Sequence, residues 1–250
     1  MTTHDRLAGA AILLTAFAMN VLHNHTALAA GLRGPADPYP IVFFIGVGTV
    51  LPALLLARVA RRDAPAARAL GLAAIRRPAW RDAGGVLAAV AVAIALTWLP
   101  LSPLVHQPGG AARLLALFSQ LLVASIAEVA LFVGMTGVCL RGLGGDPDGW
   151  RAALLLVALS SLLFGLFHFT YPAPWNTPAT ALTVGLVWLA VSGLFVLTRS
   201  LLGAVLLDNA MATVGFATRG LELPLSPAVS LLLAGLAVAA FALIVRRIAR

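Results

Sequence analysis

The sequence predicts an all-α polytopic transmembrane helical bundle of about eight spans, and three observations carry that prediction. Apolar residues make up 61% of the 250 positions and charged residues only 10%, with a mean hydropathy of +0.98. A water-soluble domain carries about 25% charged residues, so a chain this poor in charge needs lipid as its solvent. The apolar residues fall in eight runs of membrane-spanning length, separated by Gly/Pro breakers. The basic residues collect on one side of the resulting topology.

The spans follow in order. The first covers about 7–29; it is too long for a secretory h-region and has no cleavage site, so it reads as a retained helix. Gly34-Pro35, Pro38 and Pro40 separate it from the second, 40–60. A linker over 58–81 carries seven arginines. The third span, 84–104, begins at Gly84-Gly85 and ends before Pro108-Gly109-Gly110. The fourth, 114–140, ends before Gly144-Gly145-Asp146-Pro147. The fifth, 152–170, is closed by the stretch from Pro172 to Pro178. The sixth and seventh occupy 179–198 and 201–217. Pro224 and Pro227 introduce the eighth, 225–245. The organisation expected is an N-terminal part, 1–110, a four-helix core, 111–217, and a C-terminal helix with a basic tail, 218–250.

All 17 basic residues are arginine, and the formal charge is +8. With the 58–81 linker in the cytoplasm, fourteen arginines lie inside, and only Arg33, Arg113 and Arg219 face outward. The split predicts an N-in, C-in chain. The basic linker reads as an orientation signal in contact with anionic lipid, which argues against nucleic acid as a partner. Lysine-free, Ala/Leu/Gly/Arg-heavy usage resembles that of GC-rich bacterial genomes, which points to a bacterial cytoplasmic membrane. The single Cys139 excludes an internal disulfide.

Most acidic residues sit in loops or at span ends: Asp5, Asp37, Asp63, Asp82, Asp146, Asp148 and Glu222. His4 and His106 lie outside the spans, and His23 and His25 lie near the outer end of the first. Three ionisable residues remain inside apolar runs: Glu128, His168 and Asp208, on the fourth, fifth and seventh spans. A carboxylate at mid-bilayer costs about 2.5–3.5 kcal/mol on insertion scales, so such residues face a bundle interior and mark a site by default. Two carboxylates and an imidazole can do general acid–base work, relay protons or hold a metal. A purely structural role, gluing helices through hydrogen bonds, is the bland alternative. Ser125 and Phe132 share a face with Glu128, and Ser161, Phe164 and Gly165 lie below His168 at helical spacing. At about 1.5 Å per residue, Glu128 stands about 20 Å from Arg141, His168 about 25 Å from Arg151 and Asp208 about 13 Å from Arg199. Upright helices would leave the three at different depths, so tilt or a displaced helix start has to bring them level.

The segment Glu128-Val129-Ala130-Leu131-Phe132-Val133-Gly134 keeps the first Glu, the Phe and the Gly of an EELLFRG-type motif, with Val129 and Val133 at its second Glu and its Arg. Phe164-Gly165-Leu166-Phe167-His168 is an intact F-G-x-x-H. After Leu197 to Leu207, the positions of an H-x-x-x-N motif hold Asp208 and Ala212, with Asn209 adjacent. Over roughly 115–217 the chain therefore resembles the CPBP (CAAX protease and bacteriocin-processing, Abi-type) family of intramembrane endopeptidases. The resemblance implies hydrolysis of a peptide bond in a membrane-associated substrate, with Glu128 and His168 activating a water. It implies that Asp208 stands where the family places a second His that binds water or polarises the carbonyl. Phe132, Phe164 and Asn209 are then expected to line the substrate cavity. Asp208 can then, protonated, donate one hydrogen bond, or, ionised, ligate a metal beside Glu128 and His168, a carboxylate–His–carboxylate set with the chemistry of a Zn2+ site. The partners implied are membrane lipids and a membrane-associated protein or peptide. The departures at Val129, Val133, Asp208 and Ala212 keep open a catalytically inactive scaffold or immunity protein of the same fold. A small proton-coupled transporter using the three residues as a relay is the second alternative, against which no inverted repeat is visible.

Overall fold

The structure, a computed structural model, describes residues 1–26, 37–72, 80–141, 149–221 and 226–248. Arg33, Arg76, Arg77, Arg250, Asp146, Asp148, Glu222 and the breakers Gly34-Pro35, Gly144 to Pro147 and Pro224 lie outside the described residues, as do the side chains of Arg81, Asp82 and Arg246.

The described residues are helical, without strands, and eight helices are long and apolar enough to cross a membrane. In chain order they are α1 (Thr3–His25), α2 (Ile41–Arg62), the short α3 (Ala64–Ala69), α4 (Trp80–Val105), α5 (Gly110–Leu140), α6 (Trp150–Thr170), α7 (Pro178–Thr198), α8 (Leu201–Thr218) and α9 (Pro227–Ile248). Their ends are set by local chemistry. α1 starts four residues earlier than its apolar run because Thr2 and Asp5 form a capping box: Asp5 N–H donates to Thr2 Oγ1 at 3.2 Å, and Thr2 N–H donates to Asp5 Oδ2 at 2.9 Å. α5 starts at Gly110 because Gly109 takes a left-handed φ of 73° that turns the chain into the helix. α7 and α8 are capped by Thr177 and Ser200, whose hydroxyls accept from the backbone N–H groups of Thr180 and Gly203.

The basic linker is structured where it is described. α2 runs on to Arg62, and Asp63 caps α3 by accepting from Ala66 N–H at 2.7 Å while holding the Met1 ammonium at 3.0 Å. Ala66, Ala67, Leu70 and Leu72 are buried. Asp5, buried in α1, forms an ion pair with Arg58 of α2, Nε to Oδ1 at 3.0 Å. Arg199, in left-handed conformation between α7 and α8, donates to the Ala69 carbonyl at 2.9 Å. The cytoplasm-assigned linker thus plugs one end of the bundle against the α7–α8 turn.

That plug covers the start of α8. Ser200, its cap, is fully buried, and Gly203 and Gly85 lie so close that a Cβ on Gly203 would stand 2.7 Å from the Gly85 carbonyl oxygen. The helix therefore begins inside the protein. α5, with 31 residues, is about 46 Å long at 1.5 Å per residue, longer than a hydrocarbon core of about 30 Å, so it tilts or protrudes. In the described packing α5 and α8 lie together, α6 pairs with α7, α4 packs on α8, and α9 packs on α5 and α2. The core between them is aromatic, built on Phe43, Phe132, Phe167, Trp188 and Phe195, all fully buried. Leu14, Leu99, Leu162 and Leu197 stay exposed on helix faces that a bilayer would cover.

Two π-helical segments interrupt the spans, Ile41–Val50 at the start of α2 and Val129–Met135 within α5. Such segments are rare and concentrate at functional sites. They lie against one another. At that crossing Gly48 is required: a Cβ there would meet the Ala127 Cβ at 2.4 Å. Ala127 immediately precedes Glu128.

Candidate active site

Glu128 closes the α-helical first part of α5 at the residue where the backbone widens into the π segment. The next seven side chains, Val129 to Met135, are all buried. Asp208 sits mid-way along α8. The two carboxyl groups face each other at close range, with the Ser125 side chain beside Asp208. Glu128 is 9% exposed and Asp208 4%. Ser125 Oγ donates to Asn209 Oδ1 at 3.4 Å, and Asn209 Nδ2 donates to the Phe118 carbonyl at 2.9 Å. These bonds fix the register of α5 on α8, so Asn209 acts here as a helix tie. Among the described residues Asp208 Oδ2 is buried without a hydrogen-bond partner. A buried acceptor left unpaired is costly, and this one points to a water or ligand atom at the pair.

His168 begins the 3-10 turn that ends α6. Its Nδ1 lies 2.9 Å from the Phe164 carbonyl. A carbonyl only accepts, so Nδ1 carries the hydrogen and Nε2 is left as a free acceptor. The ring packs against Phe164, Tyr171 and Trp175, with centroids 4.7, 5.4 and 6.3 Å away. Among the described residues no hydrogen bond or ion pair joins His168 to either carboxyl group.

Tyr171 spans the gap. Its ring touches His168, and its phenol lies within electrostatic reach of Glu128, Asp208 and Tyr39. Sequence reading passed over both tyrosines. The chain has only 2 tyrosines against 11 phenylalanines, and both stand at the ends of spans around this one pocket; that scarcity was the available signal.

Tyr39 belongs to a second polar layer that α1 contributes. Its hydroxyl donates to Asn20 Oδ1 in a very short hydrogen bond. Asn20, fully buried, donates to Thr170 Oγ1 at 2.6 Å. Asn24 Nδ2 donates to the Thr170 carbonyl at 3.1 Å, and His25 Nε2 lies 3.1 Å from the same oxygen. His23 pairs with Asp37 at 3.3 Å and stacks on Tyr39 with centroids 3.8 Å apart. The N-terminal helices, which carry none of the three motifs, thus hold the turn that bears His168.

Phe132 and Phe164 belong to the aromatic floor below. Phe164 stacks on Trp188 at 3.7 Å and sets its edge to Phe132 at 5.3 Å. Gly165 and Ser161 let α7 close in: a Cβ on Gly165 would stand 2.7 Å from the Ala181 carbonyl oxygen, and the Ser161 and Ser192 hydroxyls are 3.4 Å apart.

Among the described residues no group of three His, Cys, Asp or Glu side chains is arranged to hold a metal ion. Glu128 and Asp208 would give such an ion two carboxyl groups, and no third His, Cys, Asp or Glu of the described residues closes with them.

Residues 110–214 match the family model described as Type II CAAX prenyl endopeptidase Rce1-like, which bears out the CPBP resemblance. Comparison with curated proteins and with solved structures found no match. The matched span runs from the start of α5 into α8 and takes in Glu128, His168, Tyr171 and Asp208; Asn20 and Tyr39 lie outside it.

Proposed function

Residues 110–214 forming an Rce1-like core, we propose that this protein is an intramembrane endopeptidase that hydrolyses a peptide bond of a membrane-associated substrate. The observation that supports it most is the buried Glu128–Asp208 carboxyl pair with an unpartnered oxygen, one tyrosine away from a histidine with a free Nε2.

In this reading Glu128 is the general base. Water bound at the pair gives its proton to the Glu128 carboxylate as its oxygen attacks the scissile carbonyl carbon. His168, whose tautomer is held by the Phe164 carbonyl, offers Nε2 to the second hydrogen of that water and so orients the attacking lone pair. The aromatic floor keeps bulk water away, so these interactions act in a low dielectric. The inactive scaffold has less support: Val129, Val133 and Ala212 put apolar groups at polar motif positions, but two carboxyl groups that a scaffold does not need are buried together despite the cost of burying them.

The test is cleavage in proteoliposomes, comparing wild type with Glu128→Gln. The amide keeps the volume and hydrogen-bonding capacity of Glu128 but cannot act as a base. A folded variant that has lost turnover by about 10²–10⁴ supports the reading; undiminished turnover removes Glu128 from the mechanism.

A further inference from the structure

The motif residue at position 208 is an aspartate, and the structure sets it against the general base. Two bare carboxylates pressed together out of water repel strongly, and the arrangement is stable when they share one proton. We propose that Glu128 and Asp208 form a carboxyl dyad in which Asp208 carries that proton and delivers it to the scissile carbonyl oxygen. The inference rests on the peptidase reading above and adds the acid that reading lacks.

The chemistry balances without a co-reactant. The water oxygen bonds to the carbonyl carbon while its proton goes to Glu128 and the Asp208 proton goes to the carbonyl oxygen, giving a neutral gem-diol. The C–N bond then breaks: Glu128 passes its proton to the departing amine nitrogen, and a gem-diol hydroxyl returns its proton to Asp208 as the new carboxylic acid forms. Water and amide become acid and amine, and the dyad ends as it began. Neutralising the oxygen by proton delivery does away with a positive charge or oxyanion hole, and Val133, fully buried where the family motif has an arginine, supplies neither.

Among the described residues Asp208 Oδ2 is buried and has no hydrogen-bond partner, so a proton carried there would face an incoming carbonyl oxygen and not a protein group. The other groups facing the pair are Ser125 and Asn209, which do not titrate, and Tyr171 with Tyr39 behind it. The His168 ring packs against Tyr171.

Infrared spectroscopy of the reconstituted protein reads the shared proton without any substrate. The expected result is a protonated-carboxyl C=O band at neutral pH that shifts when the aspartates are labelled with 13C and disappears in Asp208→Asn. No such band, or a band that shifts only with 13C-glutamate, overturns the assignment. Turnover of a fluorogenic peptide tethered to a single apolar helix supplies the second arm. A dyad predicts a bell-shaped pH–rate profile, a loss of about 10²–10⁴ in Asp208→Asn, and, in a folded Asp208→His, retained turnover with a changed alkaline limb. Wild-type turnover that Asp208→Asn leaves intact overturns the dyad and spares the peptidase reading. A protonated Asp208 in a protein that cleaves nothing overturns the peptidase reading and with it the dyad's catalytic role.

Discussion

Gly165, the glycine of the F-G-x-x-H motif, lies against Gly185 of α7 with no room for a side chain: a Cβ at 165 would stand 3.4 Å from the Gly185 Cα and 2.7 Å from the Ala181 carbonyl oxygen. The motif glycine is therefore a packing residue that seats the end of α6, and with it His168, against α7. Gly165→Val should push the helices apart and destabilise the protein by about 1–3 kcal/mol, the usual range for overpacking. Gly193→Ala, where a Cβ meets nothing within 4 Å, should be neutral or slightly stabilising. Thermal unfolding in detergent checks both; a Gly165→Val protein as stable as wild type would contradict the close approach.

Tyr171→Phe removes a hydroxyl within electrostatic reach of the carboxyl pair and leaves the ring contacts at 5.4 Å to Phe167 and His168 in place. Turnover should fall by about tenfold or more with little change in stability, since one hydrogen bond lost from a transition state is worth about 1–3 kcal/mol. The expected signature is a fall in kcat rather than a rise in KM.

Asn20→Ala breaks the bonds to Thr170 and Tyr39 at once. Each buried partner left unpaired costs about 1–3 kcal/mol, so the variant should unfold earlier, and the turn carrying His168 should gain hydrogen–deuterium exchange. If α1 only packs apolar surface against α6, exchange at 168–170 will not change.

Asp63 lies outside the spans. Burial pushes its carboxyl up, but the Ala66 N–H, the Met1 ammonium and Arg141 outweigh it and hold it below the ordinary aspartate value. A carboxyl lowered on folding contributes stability above its unfolded value, here 3.8, and loses it as pH falls through the lower folded value. Asp63→Ala should thus cost about 0.5–2 kcal/mol at neutral pH, as for a lost helix cap, and the difference from wild type should shrink in acid. A difference that grows as pH falls would reverse the sign.

The arginine distribution predicts that α3 faces the cytoplasm. Ala66 is buried, whereas Ala64 is exposed, so the probe is Ala64→Cys in a Cys139→Ala background. An impermeant thiol reagent should label it only after the cytoplasmic face is opened; labelling from the outside would invert the topology.

The eight spans were legible in the sequence because crossing a bilayer is a local requirement: about twenty apolar residues whose backbone groups are satisfied within the segment. For the same reason Glu128, His168 and Asp208 stood out, as charge-bearing groups in runs where charge is expensive. Which of them meet was not legible. Helical periodicity gives the face a residue occupies but not the tilt, depth or neighbour of that face. Only packing decided that Asp208 of α8 reaches Glu128 of α5, that Tyr171 touches His168 while lying within electrostatic reach of that pair, and that Tyr39 and Asn20, from segments without a motif, hold the His168 turn. Those contacts join residues up to 150 positions apart, and no local pattern encodes a contact that exists only when separate helices are pressed together.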